Sequence, residues 1–213
     1  MITRVLVPAA WNKHEDSYIF RCARTKREYQ RIVGGMMWPG SKPGYCVVLG
    51  QARFKNPQTK LPDIWTVAEH EEDDVTELLR TCALWTKEYC CEKWYGHPAD
   101  YGMMRILHRF NEKRPHKPLS IIPALGEEEE RELEFYVNLI RIATSTNCKV
   151  LQFNESKLPQ KMFEMDPDSI KKKCEEYPAV SALGFALCAM EMFKDGRTMV
   201  AEAYVPLDPI FNY

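Results

Sequence analysis

The stretch from Arg31 to Gly50, RIVGGMMWPGSKPGYCVVLG, has the form of a β-hairpin on which a sheet can be built. Apolar Ile32 and Val33 lead through Gly34 and Gly35 into Met36, Met37 and Trp38. A turn follows between Pro39 and Gly44, where proline presets φ and glycine accepts backbone conformations other residues avoid. Tyr45 to Leu49 is β-branched and aromatic, the composition of a returning strand. None of these residues carries a carboxylate.

Downstream, Ala52 to Pro62 reads as a polar, turn-rich link, and Asp63 to Glu69 as a third strand of an antiparallel meander. Asp73 and Asp74 then favour a helix amino terminus. Val75, Leu78, Leu79, Cys82, Leu84 and Trp85 recur at helical spacing behind them, which predicts a helix of about twenty residues. Glu92 to Asp100 reads as a short aromatic strand running out into a loop that carries Asp100. A helix follows over 101–113 and breaks at the prolines of KRPHKP. Leu119 to Pro123 is a brief strand, GEEEERELEFYVNLIRIATST a helix with glutamates in its first turn, and Lys149 to Phe153 a last strand. A short helix fits within the polar segment from Pro159 to Glu176. Pro178 to Phe193 is apolar enough to predict a helix buried against a sheet.

Upstream, SYIFRCARTKREYQRI suits a short amphipathic helix with one cationic face, so residues 1–30 are expected to form an arm or linker. The domain proper is expected over 31–194, with an extended, proline-containing arm over 195–213.

The chain has 213 residues, enough for one sizeable core, and its 45% hydrophobic and 28% charged residues are those of a water-soluble protein. No apolar run approaches the roughly 18 residues that span a bilayer, and the amino terminus lacks a signal-peptide pattern. A cytoplasmic location is expected. The eight cysteines show no zinc spacing and are expected to be reduced core thiols. A net charge of −1 excludes a global basic field, so an anionic partner would have to be held by local patches.

Three antiparallel strands followed by strands alternating with helices predict an α/β ribonuclease H-like fold: a mixed sheet, antiparallel then parallel, with helices on both faces. In that fold acidic residues from the first strand, the end of the fourth strand and a late helix converge on two divalent ions. Such a pair activates water and stabilises the leaving oxygen together.

VGGMMWPGSKPGYCVVLGQ resembles the opening hairpin of the carboxy-terminal nuclease domain of phage terminase large subunits. IWTVAEHEEDDVTELL resembles the third strand and following helix of that family, and WYGHPAD the strand delivering the second acid. RVLVPA is similar to the segment that often precedes the domain, and EYPAVSALGFAL has the shape of its late helix. The resemblance implies metal-dependent DNA hydrolysis with Mg²⁺ or Mn²⁺, double-stranded DNA as partner, and the host cell cytoplasm as location. No GxxxxGK[ST] phosphate loop occurs, so a separate ATPase subunit or a portal protein is the further implied partner.

Carried over residue by residue, the resemblance places Met37 where the family has its first aspartate and Ser181 at the late-helix aspartate. Asp100 matches the second acid. Glu176 is the nearest carboxylate to the late-helix position, and Glu69 would complete a metal site if it turned toward Asp100; its other reading is a solvated strand end. Mg²⁺ requires oxygen ligands, which Met37 cannot supply. The site is therefore expected to be degenerate, leaving a non-catalytic DNA-binding or portal-docking module as the alternative to an active endonuclease. A plain interaction protein of the same element order is the third reading. His97 is either a general base or a structural turn residue. Arg105, Arg109, Lys113, Arg114 and Lys117 form the densest basic stretch, which either tracks a phosphate backbone or is a solvated helix face.

Overall fold

The computed structural model describes residues 4–13, 17–91, 93–97, 101–124, 133–145, 149–153, 156–163 and 174–190. The predicted hairpin is its centre. Strand β3 (Glu28–Met37) pairs antiparallel with β4 (Gly44–Lys55), and β4 pairs antiparallel with β5 (Pro62–Glu72). β4 continues past Leu49 to Lys55, because Gln51 and Lys55 keep their ladder to Ile64 and Pro62 where a link was expected.

The other edge of β3 is shared. Near its start it meets β2 (Ser17–Cys22), and further along Gly34 to Met36 pair parallel with β6 (Trp94–Gly96). β6 pairs parallel with β7 (Ile121–Pro123), and β8 (Leu151–Gln152) lies parallel to β5. An antiparallel meander whose first strand also pairs parallel with a fourth, and the fourth with a fifth, is the ribonuclease H-like arrangement. Beyond it lies β1 (Leu6–Asn12), antiparallel to β2.

The helix expected over the SYIFRCARTKREYQRI segment is instead β2 and the start of β3. Tyr18, Ile19 and Phe20 favour a pleated strand, and Lys26, at φ 61°, turns the chain between the two. Strands β1 and β2 continue the sheet rather than forming a helical arm.

Side chains alternate across the sheet, so each strand feeds two cores. Ile32, Met36, Cys46 and Val48 face α1 (Val75–Glu88) and α2 (Tyr101–Glu112). Val33, Met37, Tyr45, Val47 and Leu49 face α3 (Leu133–Thr144), α4 (Leu158–Phe163) and α5 (Pro178–Cys188). Helix α1 begins as its acids predict, with the Asp74 carboxylate accepting from the Glu77 amide at 2.9 Å, and ends after 14 residues. Helix α5 is buried from Pro178 to Leu187, which explains why its sequence is apolar all round.

The glycine pair of β3 marks where both layers approach the backbone most closely. A Cβ on Gly34 would sit 2.3 Å from the Trp94 ring, and one on Gly35 would sit 1.9 Å from the Ala182 carbonyl oxygen of α5. Only hydrogen fits at either position. Among the described cysteines Cys22, Cys46, Cys82, Cys91 and Cys174 are buried free thiols, while Cys90 and Cys188 are half-buried, and no described helix is long and apolar enough to cross a membrane.

Candidate functional site

Register places Met37 on the α5 face. Met37 lies opposite Tyr45, and Tyr45 opposite Glu71; one row back, Gly35 lies opposite Val47 and Val47 opposite Glu69. Met37 is 2% exposed and packs in the same core as Tyr45, Phe185 and Leu133. Its thioether is thus a core side chain at the end of the strand.

Ser181 is fully buried on the first half of α5, and its hydroxyl donates to the Cys174 carbonyl at 2.8 Å. The bond fastens the helix to the preceding 3₁₀ turn, Cys174–Glu176. That turn docks on the β3–β4 connection, where the Lys42 ammonium donates to the Glu176 backbone oxygen at 2.8 Å and lies 5.0 Å from the Tyr177 ring centre. Burial pushes the Cys174 thiol up from its ordinary pKa, so Cys174 remains a neutral core group.

Glu69 is held from two sides. Its carboxylate accepts from the Ser156 hydroxyl at 2.5 Å and from the Lys157 amide at 2.6 Å, immediately ahead of α4. Across the ladder the Tyr45 phenol is pushed well above its ordinary pKa by burial and by the negative charge and hydrogen bonding of Glu69. Lys161 of α4 donates to Glu71 at 2.8 Å. Tyr45, Glu69, Glu71, Lys157 and Lys161 line a polar pocket of about 440 Å³ beside the Met37 row. Sequence reasoning singled out Glu69 here but missed Tyr45, Lys157 and Lys161, whose convergence depends on the register of β4 with β5 and on where α4 docks.

Asp100 lies outside the described residues. The strand that precedes it is placed as expected: β6 runs parallel to β3 with Gly96 opposite Met36, and the Trp38 indole donates to the His97 carbonyl at 3.2 Å. His97 stands against Phe185, with ring centres 6.5 Å apart.

A divalent cation would need several oxygen ligands converging on one point. Met37 offers a buried thioether, Ser181 commits its hydroxyl proton to a backbone carbonyl, and Glu69 serves the start of α4. Among the described residues no group of three His, Cys, Asp or Glu side chains is placed to hold a metal ion.

The basic stretch falls on the opposite layer. Arg105, Arg109 and Lys113 are exposed, as is Lys117 beyond the helix. Arg114 is half-buried, its guanidinium 5.3 Å from the Phe110 ring centre. Arg109, Lys113 and Arg114 line a groove between α1 and α2 of about 560 Å³, whose other wall carries Arg80 and Lys87; Arg105 and Lys117 lie outside it. The α1 cations were legible only as the polar positions of an amphipathic helix, with nothing to say that they face α2.

Strand order defines a ribonuclease H-like fold, within which Met37 and Ser181 are core residues. No family model and no curated protein matches the chain. Among solved structures it is similar to the large terminase of a thermophilic bacteriophage, with TM-score 0.48 and 12% identity over 74% of this chain and 39% of that one. It is similar too to the large terminase nuclease domain of bacteriophage SPP1 with bound Mn, with TM-score 0.47 and 13% identity over 74% of this chain and 85% of that one. The fowlpox virus Holliday junction resolvase aligns with TM-score 0.39 and 12% identity, over 76% of this chain and 99% of that one. The chain spans about two fifths of the thermophilic phage protein. These likenesses assign no residue a role.

Proposed function

We propose that the chain is a terminase nuclease-domain-like protein of phage or prophage origin, whose metal site is degenerate and which acts on DNA as a binding module. The observation that carries this reading is Met37, 2% exposed in the α5-side core at the strand position where the two-ion chemistry needs a carboxylate. Ser181 supports it independently, because a buried hydroxyl bonded to a backbone carbonyl supplies no anionic oxygen. Asp100, Glu176 and Glu69 are the carboxylates on which an active site would have to rest. Double-stranded DNA is the partner, with a separate ATPase subunit or portal protein as the assembly it would join.

The test is to incubate the protein with supercoiled plasmid and Mn²⁺ while following Mn²⁺ binding by calorimetry. The expected result is no nicking and no saturable high-affinity Mn²⁺ binding, with retardation of duplex DNA in a gel. Mn²⁺-dependent nicking that Asp100→Ala abolishes would overturn the degenerate site and restore the endonuclease reading.

A further inference from the structure

The groove between α1 and α2 lies on the sheet face turned away from Met37 and α5, and its composition differs from that of the chain as a whole. Net charge is −1, yet half of the ten residues lining the groove are cationic and none is acidic. Arg80 pairs with Glu77 on its own helix, an exposed contact worth little in water. Among the described residues no carboxylate forms an ion pair with Lys87, Arg109, Lys113 or Arg114. Four cations held side by side without ion-pair partners among the described residues, beside an Arg80 whose exposed pair is weak, repel one another, a cost that an anion entering the groove relieves.

The spacing narrows the anion. Arg80 and Lys87 lie seven positions apart on α1, about 10 Å along the axis, while Arg109 stands in the last turn of α2 and Lys113 and Arg114 follow directly past its end. Both walls are thus charged. Between them Phe110, Ile106 and Leu84 offer an apolar floor, with Leu84 42% exposed. A chain carrying a charge at every repeat and flat apolar groups between the charges satisfies walls and floor together. That is the chemistry of a nucleic-acid strand, whose phosphates bind cations and whose bases or sugars pack on apolar and aromatic side chains. An acidic peptide matches the walls only where its carboxylates happen to fall.

We propose that the α1–α2 groove binds the sugar–phosphate backbone of nucleic acid, through Arg80, Lys87, Arg109, Lys113 and Arg114 over the Phe110 floor. The site is separate from the degenerate one by the full thickness of the sheet. It rests on the reading of the chain as a DNA-directed protein and states where the contact is made.

The experiment is fluorescence anisotropy of the full chain with a labelled 30-nucleotide single strand and with its duplex, across a salt series. It compares the native protein, Arg109→Gln/Lys113→Gln, and Lys55→Gln as a control at an exposed lysine outside the groove. These side chains are exposed, and circular dichroism checks that each variant is folded. The double variant is expected to lose at least about tenfold in affinity, and its plot of log affinity against log salt is expected to be shallower by about 1.5. Lys55→Gln should change neither by more than about twofold. Equal losses in the two variants would overturn the groove while leaving the DNA reading intact. No binding of either oligonucleotide by the native chain would overturn both. Tighter binding of polyglutamate than of either oligonucleotide at matched charge concentration would overturn the groove's assignment to nucleic acid in favour of an acidic polypeptide.

Discussion

The hydroxyl of Ser181 donates to the carbonyl of Cys174 where both residues are buried, so removing it strands an acceptor away from water. Ser181→Ala should therefore cost about 1–3 kcal/mol. Ser181→Asp should cost more, because a carboxylate there would be buried with no cation among its described bonding partners. Urea midpoints of the two variants check the order, and an Asp variant as stable as the native chain would mean that water reaches the position. Met37 follows the same logic. Met37→Leu should cost less than about 1.5 kcal/mol as a volume-conserving exchange. Met37→Asp should unfold at markedly lower urea without gaining nuclease activity, and Mn²⁺-dependent nicking by that variant would sink the account. The sequence shows that neither residue is a carboxylate. The burial of Ser181 followed from the apolar helix around it, but its bond to Cys174 and the packing of Met37 were not legible, because they depend on α5 lying within contact of Gly35 and on Cys174 reaching back over the helix.

Among the elements, one glutamate bridges β2, β3 and β4. Glu28 of β3 accepts from Arg21 of β2 at 2.5 Å and from Arg53 of β4 at 2.8 Å, so three strands share a single carboxylate. These bonds lower its pKa below the ordinary 4.5, hydrogen bonding from Arg21 first and from Arg53 second. As pH falls, the unfolded chain takes up this proton before the folded one. The stabilisation is thus present above about pH 4.5 and lost as pH drops through the lower folded value. Glu28→Gln should cost about 1 kcal/mol at pH 7, the sum of two solvent-facing pairs, and less at pH 3. Urea titrations at the two pH values test this; an undiminished difference at pH 3 would assign the loss to packing instead. Arg21 is one of the residues that suggested a helix over the SYIFRCARTKREYQRI segment. A helical face and a strand ladder both use alternating charge and bulk over so short a run, and the partner that decides between them, β1, lies outside the segment. The meander, by contrast, was legible from its turns, and α1 from Asp74, because those signals are local.

At the scale of the whole molecule, one sheet separates two cores, and protection against unfolding should follow how many sides each strand has covered. Val47, Val48 and Leu49 of β4 are wholly buried, with strands on both edges and helices on both faces. The β1–β2 hairpin is joined to β3 by only two residue pairs, Phe20 with Tyr29 and Arg21 with Glu28. Its far end carries Trp11 and Tyr18, packed edge to face at 4.7 Å yet 46% and 52% exposed. Near its base Leu6 is fully buried, and the Val5 amide donates to the Glu88 carbonyl at 2.8 Å, so that end is anchored to α1. Opening the far end therefore exposes little new apolar surface beyond the buried Ile19, whereas opening β4 breaks both cores. In hydrogen exchange followed by mass spectrometry, amides over 9–12 and 18–20 should exchange at least about a hundredfold faster than those over 46–49, by local opening rather than global unfolding. Glu28→Gln should widen that gap by loosening β2 from β3 while leaving exchange in β4 unchanged. Equal protection of the two regions would mean that the hairpin unfolds only with the body of the sheet, and that the two residue pairs and the Val5 anchor bind it as firmly as the ladder binds β4.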